Sequence, residues 1–332
     1  MTLTQNPTVA LVGDNAMRFG ANRLPSRLAT DWKLVLCPDP GDSVRLRDAL
    51  ADATVLVSGD FGKQPLRAPR LKLLQIPFAG YDWLKRDLLP DGCVVCNTFE
   101  HEIPIAEYVM LNILEWEIGT QAIMADFRAG SWYYSMPPDG PYHGEAYGKT
   151  VGLIGYGHIG REIARRAGAF GMRLCAVAGS EHPKPEPLAW LGTAARDLDR
   201  LLAESDYVVI TCPLNDATRG LIGVAQLARM KPSAVLVNVA RARIVDEEAL
   251  YLALQNRVIG GAVLDVWYRY PSAQDPAPRP SRFPFHELAN VRMTPHCSAW
   301  THALNDRRWA AVAANLDRYA RGEALANVIC FA

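Results

Sequence analysis

The sequence has no excess of charge of either sign. Its 35 Lys and Arg residues balance its 35 Asp and Glu residues, so the formal net charge is zero. Proteins that bind nucleic acids or anionic membranes usually carry an excess of basic residues, and this composition has none. We therefore expect neither a nucleic acid nor a membrane as a partner.

The sequence also lacks segments that direct a chain into or across a membrane. Residues 1–15 contain neither the basic stretch nor the apolar core of a signal peptide, and no apolar run is long enough to span a bilayer. The seven cysteines are odd in number and scattered, which is typical of a reducing compartment. We expect a cytoplasmic protein without a bound metal.

What the sequence does contain is an alternation of strand-like and helix-like stretches. Such alternation is typical of parallel α/β sheets, and 332 residues is a natural length for two domains. Two series of strands are predicted, the first at 8–13, 33–37, 54–59, 71–76 and 93–97, the second at 150–155, 173–178, 207–212, 234–239, 260–266 and 291–295. Helices are predicted at 43–51, 104–117, 160–170, 197–204, 223–230, 246–256 and in a C-terminal stretch that ends near Gly322.

A glycine-rich turn links the first strand of the second series to the helix that follows it. In VGLIGYGHIG, residues 151–160, three glycines have the spacing GxGxxG. Gly155 lets the chain turn sharply, Gly157 leaves room for a pyrophosphate, and Gly160 lets the helix approach the sheet. The N–H groups at the start of that helix then face the phosphates. This strand, turn and helix predict a dinucleotide-binding site.

Seven blocks spread over most of the chain carry a family resemblance. They are KLLQIPFAGYD, PIAEY, GKTVGLIGYGHIG, CPLNDATRGLI, MKPSAVLVNVARARIVDEEAL, GGAVLDVW and MTPH. In order and spacing they resemble the D-isomer-specific 2-hydroxyacid dehydrogenases. The resemblance implies an α/β protein with two Rossmann-like domains, one flavodoxin-like and one NAD(P)-binding, with parallel sheets and an active site in the cleft between them. It implies a substrate domain at 1–117 plus 300–332, an NAD(P)-binding domain at 118–299, and a homodimer built around the cofactor domain.

The resemblance assigns the chemistry to a few side chains and backbone groups. Hydride transfer to a 2-keto acid needs a cation that holds the carboxylate and polarises the carbonyl, and a donor that protonates the new alkoxide. By resemblance Arg241 is that cation and His296 is the acid and base. The backbone N–H groups of Ala79 and Gly80 match the loop that binds the substrate carboxylate, and His101 matches a position of the substrate pocket.

A further set of positions borders the cofactor in the family. Asp265, in LDVW, matches the acid that accepts a hydrogen bond from the nicotinamide carboxamide. Besides the three glycines, the other positions assigned to the cofactor are His158, Ile159, Ala178, Ser180, Cys212, Pro213, Val239 and Ser298. Asn238 lies in the same stretch, where it either borders the cofactor or ties the loop together.

The catalytic glutamate of the family is replaced in this chain. It follows the aspartate of LDV by five positions and holds the histidine protonated, and here that position is Tyr270. A neutral phenol can orient an imidazole but does not stabilise its charge as a carboxylate does. We therefore predict that Tyr270 is the catalytic partner of His296 and that His296 is largely neutral at physiological pH. The alternative is a shifted loop in which another acid, such as Glu287, takes this role.

The acid that binds the adenosine ribose in NAD enzymes is also replaced. It lies at the end of the second strand, eighteen residues past the last glycine of the motif, where this chain has Ala178. Without a carboxylate, the site does not repel a 2′-phosphate. Ser180, His182 and Lys184 are available to hold one, although Glu181 opposes it. The sequence thus favours NADP over NAD, and the alternative is an NAD enzyme with a weaker ribose contact.

Two classes of function remain open. The first is an NAD(P)-dependent 2-hydroxyacid dehydrogenase or 2-keto acid reductase that acts on a small-molecule 2-keto or 2-hydroxy acid. The second is a nucleotide-sensing binding protein with weak catalysis, as in the corepressors that share this fold. Retention of both Arg241 and His296 favours the enzyme.

Overall fold

The chain forms two compact units in the computed structural model, which describes residues 7–135, 140–272 and 274–330. Unit 1 combines the residues up to Glu100 with those from Thr301 onward, and unit 2 comprises His101–Trp300. Residues 101–117, which the sequence analysis assigned to the substrate domain, lie in unit 2.

Each unit is built on its own sheet, and the elements are numbered along the chain. The strands are β1 (Thr8–Val12), β2 (Lys33–Cys37), β3 (Val55–Ser58), β4 (Leu73–Gln75), β5 (Val94–Cys96), β6 (Thr150–Ile154), β7 (Arg173–Ala178), β8 (Trp190–Thr193), β9 (Tyr207–Ile210), β10 (Val235–Asn238), β11 (Gly261–Leu264) and β12 (Val291–Met293). The α-helices are α1 (Ser43–Leu50), α2 (Glu102–Ile118), α3 (Thr120–Arg128), α4 (His158–Ala169), α5 (Ala194–Glu204), α6 (Val224–Leu227), α7 (Glu247–Gln255) and α8 (His302–Arg321). Short 3₁₀ turns lie at Pro25–Arg27, Arg86–Leu88, Ala242–Ile244 and Phe285–Glu287, and a π-helical turn lies at Ala16–Gly20.

Unit 1 is a five-stranded parallel sheet in the order β2-β1-β3-β4-β5. All five residues of β1 are buried, as expected for a central strand with apolar layers on both faces. One of these layers includes Trp309 and Leu316 of α8, so the C-terminal helix completes the core of this unit.

Unit 2 is a seven-stranded parallel sheet in the order β12-β11-β10-β9-β6-β7-β8. Its central strand β6 is fully buried, and its alternate residues pack into two apolar clusters, with Ile154 in one and Val151 and Leu153 in the other. Helices cover both faces, which is the arrangement of a doubly wound α/β domain. The predicted fold class of two parallel α/β sheets is confirmed.

Two elements of unit 2 were not predicted. Helix α3 has no buried residue, and strand β8 has only one, so neither adds more than one residue to the core. Among the described residues, no helix combines the length and apolar character that crossing a membrane requires.

The strand order of unit 2 defines where its loops gather. The chain leaves β6 toward β7 and β8 on one side and returns through β9 to the other, so the connections diverge at β6. In parallel sheets the carboxyl ends of the strands share one edge, and ligands bind at the point where the connections diverge. The segments that follow β6, β7, β8, β9, β10, β11 and β12 therefore meet along one edge of this unit.

Candidate functional site

Two of the three glycines in the turn after β6 are required by the protein itself. Gly155 has a φ of 102°, and a side chain there would place its Cβ 2.6 Å from the backbone nitrogen of Cys212. A Cβ on Gly160 would lie 2.6 Å from the carbonyl oxygen of Gly155. Because both distances are too short for a carbon atom, these glycines allow the close packing of turn, helix and neighbouring strand.

Gly157 is different, because nothing in the protein requires a glycine there. Its φ of −90° is open to other residues, and an added Cβ would meet no atom within 4 Å. It is also the N-cap of α4 and provides no side-chain cap, so the first N–H groups of this helix have no capping side chain. The space over Gly157 and the helix N-terminus therefore fit the pyrophosphate of a dinucleotide.

The loops after β6, β7 and β9 are joined by hydrogen bonds. The Gly155 N–H donates to the carbonyl of Val177 at 2.8 Å, and the hydroxyl of Thr211 donates to the carbonyl of Gly155 at 2.7 Å. Cys212 follows at the end of β9 as a half-buried thiol whose pKa is raised by burial to about 11, so it stays neutral. The remaining cofactor candidates of these loops lie at the same edge: His158 and Pro213 are exposed, and Ile159 is half-buried.

Asp265, at the end of β11, holds the loop after β12. Its carboxylate is fully buried, with one oxygen accepting from the Thr294 hydroxyl at 2.6 Å and from the N–H of Cys297 at 2.9 Å. The other oxygen accepts from the N–H of Ser298 at 3.0 Å. In this structure Asp265 therefore positions the segment that carries His296, and it has no exposed surface for the carboxamide contact predicted from the sequence.

The hydroxyl of Tyr108, in α2, extends this network, since it lies 2.7 Å from the Thr294 hydroxyl. Thr294 has a single proton, and that proton goes to Asp265, so Tyr108 is the donor to Thr294. Both residues lie in blocks of the family resemblance, PIAEY and MTPH, but neither was assigned a role from the sequence.

His296 and Tyr270 are in contact. The hydroxyl of Tyr270 lies 3.0 Å from Nδ1 of His296, and the same hydroxyl accepts from the backbone N–H of Trp267 at 3.0 Å. His296 has a φ of 60°, a left-handed conformation that is uncommon for a residue with a side chain and that often marks a functional site. Glu287, the alternative partner, instead lies 3.7 Å from His286.

The surroundings of His296 favour its neutral form. Desolvation is the largest effect and lowers the pKa of the imidazole, and the charge of Arg241 lowers it further. The carboxylate of Asp265 opposes both but does not outweigh them. The residue as a whole is still exposed.

Arg241 follows β10 and is positioned by the end of that strand. Asn238, almost fully buried, accepts from the N–H of Ala240 at 3.1 Å and donates to the carbonyl of Arg241 at 3.1 Å. Asn238 thus ties the loop together, which was one of its two predicted roles. One guanidinium nitrogen of Arg241 donates to the carbonyl of Ala240 at 2.9 Å, and Val239 is buried beside it.

The predicted substrate-binding residues belong to different units. Ala79 and Gly80 lie in unit 1, where their carbonyls accept from Asn97 at 2.8 Å and from the indole of Trp83 at 3.3 Å. Both carbonyls are thus held by the protein, while within the described residues no hydrogen-bond acceptor faces the N–H groups of Ala79 and Gly80. His101 belongs to unit 2, at the start of α2, with its Nδ1 3.8 Å from the Glu102 carboxylate.

Sequence reasoning missed a basic residue at the far end of this edge. Ala178 ends β7 and lies opposite Thr193, the last residue of β8. Arg196 follows in the first turn of α5 and reaches back to Glu181, with a guanidinium nitrogen 2.8 Å from the carboxylate. The hydroxyl of Ser180 is 3.1 Å from Nε2 of His182 in the same loop. Because β8 was not predicted, nothing in the sequence indicated that Arg196 lies beside the end of β7.

The carboxyl edge of the sheet in unit 2 can therefore hold a dinucleotide. The imidazole of His296 and the guanidinium of Arg241 follow strands of the same sheet and can bind a small anion. A model of one protein family, described as D-isomer specific 2-hydroxyacid dehydrogenase, NAD binding domain, matches residues 110–298. The match covers most of unit 2, including the glycine turn, Arg241 and His296.

Relatives of known name and solved structures point the same way. The chain is 38% identical over 269 residues to a glyoxylate reductase of Korarchaeum cryptofilum, covering 79% of this chain and 77% of that protein. It is 32% identical over 284 residues to glyoxylate/hydroxypyruvate reductase B of Pectobacterium carotovorum, covering 85% and 86%. The structure of an NADPH-dependent glyoxylate/hydroxypyruvate reductase from Sinorhizobium meliloti matches with a TM-score of 0.75 at 25% identity, covering 98% and 97%. The chain belongs to the D-isomer-specific 2-hydroxyacid dehydrogenase family and is an NAD(P)-dependent oxidoreductase that acts on CH–OH groups.

Proposed function

We propose that this protein reduces small 2-keto acids of the glyoxylate or hydroxypyruvate type to 2-hydroxy acids, with a preference for NADPH. The observation that carries the proposal is His296, held at 3.0 Å by Tyr270 and within electrostatic reach of Arg241. The names of the relatives support the substrate class, and Ala178 supports the cofactor, since no carboxylate ends β7 to bind the ribose.

Arg241 binds the substrate carboxylate and polarises its carbonyl. A guanidinium is permanently charged and offers several donors in a planar fork, which suits a carboxylate next to a carbonyl oxygen. The backbone N–H groups of Ala79 and Gly80, in unit 1, stay candidates for binding the carboxylate on the resemblance. His101 is retained as a substrate-pocket residue on the resemblance alone.

His296 transfers the proton, and Tyr270 sets which ring nitrogen carries it. The Tyr270 oxygen accepts from the N–H of Trp267, and the phenolic proton is donated to Nδ1 of His296. In neutral His296 the ring proton is then on Nε2, which faces the substrate oxygen. The nicotinamide, when bound, supplies or accepts the hydride at the substrate carbon.

When bound, the cofactor would be held along the carboxyl edge of the sheet in unit 2. The turn Gly155–Gly160 and the N-terminus of α4 hold the pyrophosphate, and the space over Gly157 fits it. The loops that follow β9 and β10 border the nicotinamide half of the cofactor, and Ser180 lies at the ribose end. Asp265 and Ser298 act by positioning His296, since the Asp265 carboxylate accepts hydrogen bonds from three groups of the loop after β12.

The test is a panel of 2-keto acids assayed by NADPH and NADH oxidation. We expect turnover with glyoxylate or hydroxypyruvate and a higher kcat/KM with NADPH. A protein that binds the dinucleotide tightly but reduces no 2-keto acid would instead be a nucleotide sensor, an alternative that the names of the relatives do not favour.

The proposal extends to a homodimer in the cytoplasm. All seven cysteines are free thiols, which suits a reducing compartment. Helix α3 buries none of its residues and exposes Met124 and Phe127, and Trp132 and Tyr133 follow it at the surface. Large exposed apolar side chains that are grouped in this way usually mark a contact surface, and the resemblance indicates a second copy of this chain as the occupant.

A further inference from the structure

We propose that Arg196 is the residue that binds the 2′-phosphate of NADP, and that Glu181 forms an ion pair with Arg196 while no cofactor is bound. The pair Arg196–Glu181 would then decide between NADP and NAD. This inference rests on the proposed function, because it assumes that a dinucleotide occupies the edge of unit 2 with its pyrophosphate over Gly157.

The position of Arg196 follows from the strand register. β6, β7 and β8 are adjacent and parallel, with Ile154 opposite Val177 and Ala178 opposite Thr193. The glycine turn, the end of β7 and the start of α5 therefore lie side by side. A dinucleotide with its pyrophosphate on the glycine turn places its adenosine ribose at the end of β7. Arg196 is three residues past Thr193 and lies beside that ribose position.

The side chain of Arg196 is already held in place for an anion. Its Nε donates to the carboxylate of Asp197 at 3.1 Å, and Asp197 in turn accepts from the N–H of Thr193 at 3.0 Å. The other end of the guanidinium donates to Glu181 at 2.8 Å. Asp197 thus holds the guanidinium through Nε and Nη2, and Nη1 binds the Glu181 carboxylate that a phosphate can replace.

Replacement of Glu181 costs little. Both side chains of the pair are largely exposed, 63% for Arg196 and 76% for Glu181, and exposed ion pairs contribute little to stability. A 2′-phosphate carries more charge than a carboxylate and offers three acceptor oxygens, so it is the stronger partner for a guanidinium. Glu181 can turn into solvent when the phosphate binds.

The surrounding groups favour a phosphate over a bare ribose hydroxyl. A cavity of about 230 Å³ is lined by Glu181, His182, Leu191, Gly192 and Arg196. Ser180 and His182 provide a hydroxyl and an imidazole at the mouth of the loop. Lys184 is less available, since its ammonium already contacts Glu186 and the carbonyl of Leu188, at 2.8 and 2.9 Å.

The experiment compares ligands that differ only by the 2′-phosphate. Dissociation constants of NADPH and NADH are measured by nicotinamide fluorescence, and those of adenosine 2′,5′-bisphosphate and adenosine 5′-monophosphate by calorimetry, none of which requires turnover. We expect Arg196→Gln to raise Kd for NADPH and the bisphosphate by about tenfold or more, because a charged hydrogen bond is lost. Kd for NADH and the monophosphate should change by less than about twofold. Glu181→Gln should lower Kd for NADPH and leave NADH unchanged.

Arg200→Gln is the matched control. Arg200 lies one turn further along α5, is similarly exposed, and pairs with Glu204 rather than with the loop after β7. It should leave the affinities for all four ligands unchanged. An equal increase in Kd for NADPH and NADH in Arg196→Gln, or an unchanged Kd for NADPH, would overturn the assignment. Weaker NADH binding in Glu181→Gln would show that Glu181 holds the ribose instead. A wild-type protein that binds neither dinucleotide would refute the proposed function itself, whatever the variants do.

Discussion

The phenol of Tyr270 orients His296 without adding a charge. A carboxylate at the same place would stabilise the imidazolium and raise the pKa of His296. In this protein desolvation and Arg241 lower that pKa, and Asp265 offsets them only in part. A histidine beside a carboxylate would therefore keep its proton to higher pH than His296 does.

This difference predicts a shifted pH profile. An unperturbed histidine titrates near pH ~6.5. Because the pKa of His296 is lowered, His296 loses its proton at a pH below that of an unperturbed histidine. The kcat/KM for reduction should therefore already fall as the pH rises through the mildly acidic range. Oxidation of a hydroxy acid, which needs the neutral form, should stay active to correspondingly lower pH. Tyr270→Glu should move the reductive limb to higher pH, and Tyr270→Phe, which removes the hydroxyl without adding charge, is the control. Coinciding reductive limbs for wild type and Tyr270→Glu would mean that Tyr270 does not set the protonation of His296.

A second prediction separates the roles of Arg241 and His296. Arg241→Ala should raise KM for the keto acid and lower kcat together, because one side chain binds the substrate and polarises the carbonyl. His296→Ala should lower kcat by about 10²–10⁴-fold, the usual contribution of a general acid, with a smaller change in KM. Arg243→Ala is the control, since Arg243 is exposed two residues further on. Steady-state kinetics check this, and a His296→Ala enzyme with near-normal kcat would remove histidine from the mechanism.

The turn between β6 and α4 distinguishes glycines that shape the protein from a glycine that serves its ligand. Gly157→Val should leave thermal unfolding of the unliganded protein nearly unchanged, because a Cβ at this position meets no protein atom within 4 Å. It should raise Kd for NADPH by at least about tenfold, since the side chain occupies the space of the pyrophosphate. Gly155→Ala is the contrasting variant: its Cβ would lie 2.6 Å from the Cys212 backbone, so stability should fall. Unchanged NADPH affinity in Gly157→Val would contradict the placement of the pyrophosphate.

The loop after β12 depends on one buried carboxylate. Asp265→Asn replaces an acceptor with a donor, so at least one of the three groups that it binds loses its partner. The expected cost is about 1–3 kcal/mol of unfolding free energy, typical of an unsatisfied buried polar group. Loss of the negative charge should also lower the pKa of His296 further, because Asp265 is the group that raises it. Denaturant unfolding and the pH profile of reduction measure the two effects. A stable variant with an unshifted profile would show that Asp265 does not position His296.

Elements with a strong apolar pattern could be predicted from the sequence, and elements without one could not. β6 buries every residue and ends at a glycine turn, so both its presence and its function were readable. α3 buries none of its residues, and β8 ends the sheet with residues that are mostly half-buried, so neither adds a run of buried apolar side chains to the core. Missing β8 had a direct consequence, since it concealed the position of Arg196 beside the end of β7.

At the scale of the whole molecule, the two parallel sheets and the family could be predicted, whereas the connections within the site could not. The pairing of Tyr270 with His296 was expected from the resemblance but its 3.0 Å separation was not, and the chain from Tyr108 through Thr294 to Asp265 joins residues far apart in sequence. Spacing in sequence contains no information on such distances. The resemblance identified the residue types at the site, and the structure supplies the geometry that decides their protonation.

Two exposed aromatic side chains, Phe127 in α3 and Trp132 just after it, give a prediction for the oligomeric state. Phe127 and Trp132 pack edge to face at 5.1 Å, yet remain 57% and 69% exposed, which is costly for a surface that faces water alone. We expect the wild-type protein to be a dimer by sedimentation equilibrium, and the double variant Phe127→Glu, Trp132→Glu to be a monomer, because two charges on each copy would meet across the interface. Val224→Glu is the matched control, since Val224 is 72% exposed on α6 and far along the chain from this group, and it should remain a dimer. A double variant that stays dimeric would place the dimer interface elsewhere. A monomeric wild type would refute the dimer.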